Sequence, residues 1–277
     1  VTSLSDAILL ENTGQGYSYN IAYEVRRPFK NGLFVQGSYS YGVAKSIMDG
    51  TSDQAASNWG FVYVPGNAND APLTRSNFDP GHRITLTGSY DMPFAKVIKP
   101  VVSIFYSGQS GRPFTLVFNG DVNGDNRTGN DLVYIPTSSD NLTYTGGTYQ
   151  DFINWINGDD CLAQYVGQII PRNACRSPWT NTLDGRFAVQ LPYKRFKTEV
   201  TLDVLNLINL FSSSKGLMLY SSNNEVLQPS PVPGTPTLAS PLTGYNIGTL
   251  ISPTFTRFNR DDLRSRWQLQ LGARVRF

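Results

Sequence analysis

Residues 267–277 read Trp-Gln-Leu-Gln-Leu-Gly-Ala-Arg-Val-Arg-Phe, and apolar side chains alternate with polar or small ones along the whole stretch. Because successive side chains of a β-strand point to opposite faces, this pattern predicts a strand with one apolar and one polar face. In a soluble sandwich the apolar face would meet a second sheet, whereas in an outer-membrane barrel it would meet lipid. The aromatic residue Phe277 at the tip of the strand favours the membrane interpretation.

Six other segments have the same two-residue periodicity. Each places an apolar row on one face and serine, threonine, amide or charged residues on the other. Most approach the roughly 9–11 residues that a tilted strand needs to cross a bilayer. These segments cover residues 17–26, 33–43, 83–92, 102–106, 183–191 and 199–210.

The connections between these segments alternate strictly in length. Short turns are expected at residues 27–32, 93–99 and 192–197, and long loops at about residues 44–80, 109–180 and 211–264. Outer-membrane barrels have short periplasmic turns and long extracellular loops, and loops this long are uncommon in compact soluble domains unless they are functional. The phenylalanines beside the short turns suit an aromatic belt at the periplasmic interface. They are Phe29, Phe94 and Phe196.

Composition agrees with a barrel and excludes two other classes. The 277-residue chain has 15 tyrosines, 15 phenylalanines and 4 tryptophans, yet its mean hydropathy is slightly polar at −0.26. A barrel gives this combination because half of each strand is polar and aromatic residues gather at the interfaces, and a secreted β-sandwich would give it too. No run approaches the roughly 18 apolar residues of a membrane helix. The net charge of +2, with its cations scattered, argues against a nucleic-acid partner.

The number of strands bears on closure. Seven is odd, whereas single-chain bacterial barrels close with an even number, and an open edge in lipid leaves backbone groups unpaired. We therefore expect residues 1–277 to form one all-β, antiparallel transmembrane β-barrel segment, the C-terminal part of a larger barrel or one piece of a split one. Residues 245–251 are a candidate eighth strand, but their short, proline-bounded pattern favours a loop hairpin.

The two cysteines, Cys161 and Cys175, lie in one irregular segment. An oxidising compartment favours a disulfide between them, and a pair of surface thiols is the alternative. The exported character of the rest of the chain favours the disulfide.

Residues 121–131, Asp-Val-Asn-Gly-Asp-Asn-Arg-Thr-Gly-Asn-Asp, carry oxygen ligands at alternate positions, as an EF-hand loop does. The pattern departs from an EF-hand because Asn126 replaces the turn glycine and Asp131 comes one position early. A surface loop rich in Asx turns explains the same residues. A structural calcium ion is thus one of two open interpretations, and no other cofactor is required. Its candidate ligands are Asp121, Asn123, Asp125, the Arg127 carbonyl and Asp131.

We expect no enzymatic activity. His82 is the single histidine, and a hydrolase would need it beside a nucleophile such as Ser89. No Gly-x-Ser-x-Gly nucleophile elbow occurs, so His82 is expected where loop becomes strand at the outer interface.

Two other groups of residues have an open role. The proline-rich run 228–236 predicts an extended, exposed spacer, with partner docking as the alternative. Six charged side chains are expected on the inward face, where they pair with one another, line a permeation path or hold a plug. They are Asp184, Arg186, Glu199, Asp203, Arg274 and Arg276.

Several motifs resemble a known family. Asn77-Phe-Asp-Pro-Gly-His-Arg83, followed by an alternating strand and Met92-Pro-Phe94, resembles a recurring strand start of TonB-dependent outer-membrane receptors. Residues 130–136, Asn-Asp-Leu-Val-Tyr-Ile-Pro, and residues 172–179, Arg-Asn-Ala-Cys-Arg-Ser-Pro-Trp, resemble their Oar-like branch, which has a carboxypeptidase-regulatory-like domain at its N-terminus. Residues 203–209 are similar to the family's penultimate strand. The terminal Phe277 resembles the signal read by the barrel-assembly machinery. The likeness covers nearly all of residues 16–277.

The resemblance implies a barrel of about 22 strands with a plugged lumen, energised by TonB, to which this chain would contribute the last seven strands. Such a transporter moves a bulky ligand across the outer membrane of a Gram-negative bacterium. Its partners would be the rest of the barrel and the plug, the TonB complex, outer-membrane lipid and the barrel-assembly machinery. The plug and the TonB box have no match in these residues. The alternative is a structural or adhesive outer-membrane protein whose loops bind a surface partner.

Overall fold

The computed structural model describes residues 7–92, 98–138, 140–192, 197–221, 225–230, 244–246 and 257–276. Seven long strands form one antiparallel sheet in which each strand pairs with the next one along the chain, and the all-β prediction is confirmed. We call these seven strands the wall. They are β1 (Tyr17–Pro28), β2 (Leu33–Ser46), β3 (Gly81–Asp91), β4 (Lys99–Gln109), β5 (Thr180–Pro192), β6 (Lys197–Leu205) and β7 (Gln268–Arg276).

The strand register aligns the apolar rows of the wall into one continuous face. One row crosses six strands through directly opposed residues: Leu33, Tyr90, Val102, Phe187, Leu202 and Leu271. These side chains are not covered, since Phe187 is 42% exposed and Leu271 is 75% exposed. A shift of one residue in any ladder would turn that strand's apolar residues to the opposite face. The exposed rows fit contact with lipid and not the dry interior of a sandwich.

The opposite face of the wall is polar. The Ser38 and Thr85 hydroxyls, which lie opposite each other on β2 and β3, are 2.6 Å apart. This division into one apolar and one polar face is the alternation of an outer-membrane barrel.

A short turn of residues 29–32 joins β1 to β2. The Phe29 amide donates a 2.7 Å hydrogen bond to the Leu33 carbonyl, and Gly32 adopts φ +87°. A Cβ at Gly32 would lie 2.5 Å from the Asp91 carbonyl oxygen, so a larger residue would displace β3. Phe29 is exposed beside this turn, as predicted for a belt residue, whereas Phe94 and Phe196 lie outside the described residues.

The three long connections lie at the other end of the wall, and we call them loop A (47–80), loop B (110–179) and loop C (206–267). Together they form the cap. Its helices are α1 (Ala55–Gly60), α2 (Tyr149–Asn157), α3 (Leu207–Phe211) and α4 (Asp262–Ser265), with 3₁₀ turns at Ala68–Asp70 and Leu162–Tyr165. No helix in the described part of the chain has the length and apolar character needed to cross a membrane.

The short strands of the cap pair mostly with one another. The exception is Thr74–Arg75, which extends the ladder of β2. The others are Pro113–Phe114, Val117–Phe118, Thr143–Thr145, Cys175–Arg176, Leu219–Tyr220, Glu225–Ser230, Gly244–Asn246 and Asn259–Arg260.

Three details differ from the sequence predictions or refine them. The strand predicted to reach residue 210 ends at Leu205, because Asn206 adopts the left-handed conformation at φ 53° and α3 follows. Pro229 of the predicted exposed run is buried within Glu225–Ser230, while residues 231–236 lie outside the described part. Tyr245 lies in a cap strand and not in the wall, which confirms the loop interpretation; residues 247–251 are outside the described part.

The wall is an open sheet within the described residues. β1 pairs only with β2, and β7 pairs only with β6, so the two edge strands do not meet. This agrees with the expectation that seven strands do not close by themselves. The terminal Phe277 lies outside the described residues, and its role in assembly stays a prediction.

Replacing Leu202 with arginine tests the assignment of the faces. Leu202 is the sixth of the nine residues of β6 and lies in the exposed apolar row. We expect Leu202→Arg to lower the free energy of unfolding in lipid vesicles by about 2–4 kcal/mol, as arginine does near the bilayer midplane. Ala188→Arg on the polar face is the matched control, and urea titration measures both. Equal costs for the two variants would show that the faces are assigned incorrectly.

Candidate functional site: the cap and its acidic loop

The cap has a hydrophobic core of its own. Helix α2 begins with a capping box formed by Thr148 and Asp151 and buries Phe152, Ile153 and Ile156. Strand residues from loops B and C surround this helix face. The largest fully buried side chains of this core are Tyr245, Phe118, Phe152, Leu116, Ile135, Ile156, Leu162, Ile170 and Leu227. The long loops are therefore a folded layer, held together as a small domain would be.

Arg172 fastens loop B to the end of β2. Its guanidinium donates to the Ser46 carbonyl at 2.6 Å and to the Thr74 hydroxyl at 2.9 Å. Burial lowers the pKa of Arg172, and the charge of Asp49 opposes that shift. The next residue, Asn173, adopts φ 58° and donates its side-chain amide to the Arg75 carbonyl at 3.0 Å.

Arg176 forms the second fastening point through an ion pair with the buried carboxylate of Asp79. The same guanidinium donates to the Gly111 carbonyl at 2.9 Å. Asp79 also accepts from the Ala44 amide at 3.2 Å. Two of the sequence stretches that resemble the receptor family, 77–83 and 172–179, therefore meet where the cap joins the wall.

Asn206 fixes the start of loop C. Its backbone amide donates to Asp184 at 2.8 Å, and its side-chain amide donates to the carbonyls of Gly216 and Ser265 at 2.8 and 3.0 Å. Its buried side chain thus ties α3 to the segment just before β7. Asparagine suits this position because it tolerates the left-handed conformation and carries both a donor and an acceptor.

The predicted disulfide between Cys161 and Cys175 is present, with 5.8 Å between the two Cα atoms. It links the segment that follows α2 to the short strand Cys175–Arg176. Asp159 lies beside both sulfurs. Because the sulfurs are joined to each other, they are not thiolate ligands, and this group is not a metal site.

The acidic loop, residues 120–131, is tightly hydrogen-bonded to itself. Asp121 accepts from the backbone amides of Gly124 at 2.7 Å and Asn126 at 2.9 Å. The side-chain oxygen of Asn123 accepts from the Asp125 amide at 2.9 Å, and Asp125 accepts from the Arg127 amide at 2.9 Å. These are the Asx turns of the alternative interpretation. The calcium prediction itself stays a prediction.

Two side chains at the end of this loop are not fully satisfied. Asp131 is 3% exposed and Asn130 is 1% exposed, and the Oδ1 atom of each has no hydrogen-bond partner. Burial, with a smaller contribution from the charges of Asp125 and Asp121, raises the pKa of Asp131 to about 6, while hydrogen bonds from the Val122 and Asn123 amides oppose the shift. The alternate spacing of oxygen ligands in the sequence does not include Asn130.

The acidic loop also contacts loop A. The Val64 amide donates to the Asn130 carbonyl at 3.1 Å, and the Leu132 amide donates to the Val64 carbonyl at 3.2 Å. The Asn123 side-chain amide donates to the Gly66 carbonyl at 2.9 Å. Arg127 lies over the Trp59 ring, 5.6 Å from its centroid. A change in the conformation of the acidic loop, which belongs to loop B, would therefore also change its contacts with loop A.

On the polar face of the wall, charged residues pair in part. Arg186 contacts Asp203 on the next strand, with Nη2 3.0 Å from Oδ2. Glu199 lies directly opposite Arg274 in the ladder between β6 and β7. These positions favour mutual pairing for Arg186 and Asp203, whereas the Asp184 carboxylate accepts from the Asn206 backbone amide.

A cavity of about 350 Å³ lies where the cap meets the ends of β4 and β5. A second cavity, of about 820 Å³, lies between loop A and the segment that precedes β1, and it is lined by residues such as Leu9 and Trp59. The lining of the first cavity includes Gln109, Arg112, Met218, Tyr220, Asp261 and Arg264.

His82 lies at the start of β3, as predicted, and its Nδ1 atom is 2.8 Å from the Tyr39 hydroxyl. Ser89 is seven residues further along the same strand. An odd separation places the two side chains on opposite faces of the sheet, and the strand rise separates them by roughly 23 Å. The two residues therefore do not form a catalytic pair.

The sequence profile of the outer membrane beta barrel domain matches residues 3–216. The chain belongs to this family. It is therefore an outer-membrane β-barrel protein of a Gram-negative bacterium. No curated protein matches the chain.

Removing the disulfide should loosen the cap and leave the wall intact. The bridge closes a loop across a sequence separation of 14, for which chain entropy gives about 3 kcal/mol of stabilisation. We expect the double variant Cys161→Ser, Cys175→Ser to be cleaved in loop B by thermolysin much faster than the wild type. Unchanged heat-modifiable migration on a gel serves as the control for the barrel. Unaltered cleavage in loop B would show that the bridge does not hold the cap.

Breaking the ion pair of Arg176 should cost more than breaking an exposed one. Arg176→Met leaves the buried carboxylate of Asp79 without its main partner, which we expect to destabilise the cap by about 3 kcal/mol. Arg260→Met removes an exposed pair with Asp262 and should cost about 0–1 kcal/mol. Chemical denaturation in detergent, followed by near-UV circular dichroism, measures both. Similar costs for the two variants, or no rescue of Arg176→Met by Asp79→Asn, would contradict the role given to this pair.

Proposed function

We propose that the chain forms barrel wall and extracellular cap of a TonB-dependent transporter that moves a bulky ligand across the outer membrane. The observation that carries this proposal is a wall that is open at both edges, polar on one face, and covered at one end by a folded cap. The resemblance of residues 77–94, 130–136, 172–179 and 203–209 to TonB-dependent receptors of the Oar-like branch supports it.

The open edges argue for a large barrel. Each unpaired backbone group in lipid costs several kcal/mol, so β1 and β7 need further strands beside them. In this proposal the rest of the barrel and a plug complete the protein, within one polypeptide or as separate chains. A barrel of about 22 strands has a lumen wide enough for a plug and a bulky ligand. In this proposal TonB would act on the plug, and the barrel-assembly machinery would insert the wall into the outer membrane.

The cap supplies the capture surface in this proposal. The 350 Å³ cavity opens at the extracellular ends of β4 and β5 and is lined by Arg112, Tyr220 and Arg264. Cavities of this size with an aromatic side chain and a few polar groups are typical ligand sites. A ligand held there would sit above the polar face of the wall.

A structural or adhesive protein is the second candidate. The feature that favours it is the rigidity of the cap, whose hydrophobic core, disulfide and buried ion pairs suit a fixed docking surface. A transporter needs its loops to admit a ligand, whereas an adhesin does not. Energisation by TonB separates the two functions.

Binding of TonB is the direct test. The protein is purified from the outer membrane in its native length, and its affinity for the purified periplasmic domain of TonB is measured by biolayer interferometry. A transporter should bind this domain, and an outer-membrane barrel of the same cells that is not energised should not. Failure to bind TonB would contradict the proposal and favour the structural or adhesive function.

A further inference from the structure

The short helix α3 begins against the apolar face of the wall. Gly185 of β5 lies in a row that passes through Ile104 and Val204, and Ile104 is 52% exposed on that face. A Cβ built on Gly185 would point to the same face, and it would lie 3.0 Å from Cδ1 of Leu207, the first residue of α3. Helix α3 therefore begins on the side of the sheet that faces lipid, and not over the polar face.

Polar contacts of Asn206 fix α3 in this place. Asn206 follows the last residue of β6 and turns the chain with φ 53°. Its side-chain oxygen accepts from the Asn209 amide at 3.3 Å, and its side-chain amide donates to the carbonyls of Gly216 and Ser265. The position of α3 thus rests on polar contacts at its start, which leaves the apolar side chains at its end free for another partner.

The apolar side chains of α3 form a stripe that starts at the wall and ends exposed. Residues three and four positions apart lie on one side of a helix, so Leu210 and Phe211 continue the side on which Leu207 meets the wall. Leu210 is 42% exposed and Phe211 is 82% exposed. A single apolar residue on a protein surface needs no explanation. Two adjacent ones beside a lipid-facing row extend the apolar face of the wall.

The surroundings of α3 are typical of a membrane interface. Trp267 continues the alternation of Leu269 towards the cap and is 47% exposed, and tryptophan is enriched at such interfaces. The turn after α3 has the polar sequence Ser-Ser-Ser-Lys at residues 212–215 and ends with the exposed Lys215. The Asn209 side-chain amide donates to the Lys215 carbonyl at 3.0 Å, which folds this turn back onto the helix. An apolar stripe followed by a polar, cationic turn suits the boundary between acyl chains and headgroups.

We propose that α3 is inserted in the outer-membrane leaflet on the side of the cap, with Leu210 and Phe211 among the acyl chains beside β5. The turn 212–215 would lie among the lipid headgroups. Continuity with the wall favours lipid as the partner, because the stripe begins at Gly185, within a lipid-facing row. Lipid would also remove two large apolar side chains from water. The proposal rests on the assignment of the apolar face to lipid, and it does not depend on transport.

Fluorescence quenching in lipid vesicles locates α3. The native-length protein carries one of three substitutions, Leu202→Cys, Phe211→Cys or Ser213→Cys, and each cysteine is labelled with a small fluorophore. The two native cysteines are joined in the disulfide, so only the introduced thiol reacts. The quenchers are iodide in the water, a nitroxide on the lipid headgroup and a nitroxide on the acyl chain. We expect the acyl-chain nitroxide to quench the label at 211 most strongly, and the headgroup nitroxide to quench the label at 213 most strongly.

The label at 202 is the control for the wall, and the acyl-chain nitroxide should quench it. If it does so while iodide quenches the label at 211, α3 lies in water and the proposal is wrong, although the wall is assigned correctly. If none of the three quenchers reaches the label at 211, another protein surface covers α3, and the proposal is wrong for that reason. Quenching of the label at 202 by iodide alone would contradict the assignment of the wall as well.

Trypsin cleavage after Lys215 measures the anchoring of α3 without a label. Phe211→Ser should raise the rate of this cleavage in vesicles by about tenfold or more, because burial of a phenylalanine side chain in an apolar phase is favourable by more than a factor of ten. Phe211→Trp should keep the wild-type rate, since tryptophan suits the interface. Ser213→Ala is the control and should also keep it. An unchanged rate in Phe211→Ser, or a raised rate in Phe211→Trp, would overturn the proposal.

A second variant displaces α3 without changing its own residues. Gly185→Leu places a side chain where Leu207 lies, so the helix must shift and cleavage after Lys215 should become faster. Gly88→Leu is the matched control, because Gly88 lies in the same row and an added Cβ there would meet the Ile104 side chain at 3.4 Å. Equal cleavage rates in Gly185→Leu and Gly88→Leu would show that α3 does not lie on the lipid-facing side of β5.

Discussion

The constraint on which this structure depends is that hydrocarbon offers no hydrogen bonds to a polypeptide backbone. Every amide and carbonyl of a strand in the bilayer must pair with a neighbouring strand, and every outward side chain must be apolar. The ladders from β1 to β7 meet both conditions, because their register brings Val102, Phe187 and Leu202 side by side on one face. The same constraint means that the two free edges need partners, which is why the sheet is best understood as part of a wider barrel.

Water imposes a different solution at the end of the wall where the long loops lie. Most of the loop residues there have no lipid to face, so they bury apolar side chains against each other and form the core of the cap. This layer is then joined to the wall by polar contacts in which one partner is buried, chiefly Arg172 with Ser46 and Arg176 with Asp79. Asn206 does the same for loop C. Because buried charges are costly when unpaired, these contacts specify where the cap sits.

The wall could be predicted from the sequence, whereas most of the cap could not. Lipid on one side and water on the other impose a strict period of two, and all seven strands follow from it. The disulfide between Cys161 and Cys175 could be predicted because the chain has the features of an exported protein, and an oxidising compartment favours disulfides.

The ion pair between Asp79 and Arg176 joins residues that are 97 positions apart in sequence. A periodic pattern along one strand does not indicate which distant residues come into contact. Likewise, the proline-rich run 228–236 predicted an exposed spacer, but Pro229 of this run is buried in the cap strand Glu225–Ser230. The acidic loop was recognised by its spacing, yet spacing does not reveal that Asn130 and Asp131 are buried at its end.

Site-directed spin labelling along β6 tests the central claim most directly. Single cysteines at positions 200–204 are labelled in lipid vesicles, and their collision rates with oxygen and with a water-soluble nickel chelate are compared. If lipid covers the apolar row, labels at 200, 202 and 204 are relaxed mainly by oxygen, and labels at 201 and 203 mainly by the chelate. If all five labels behave alike, or the alternation has the opposite phase, the apolar rows do not face lipid and the account is wrong.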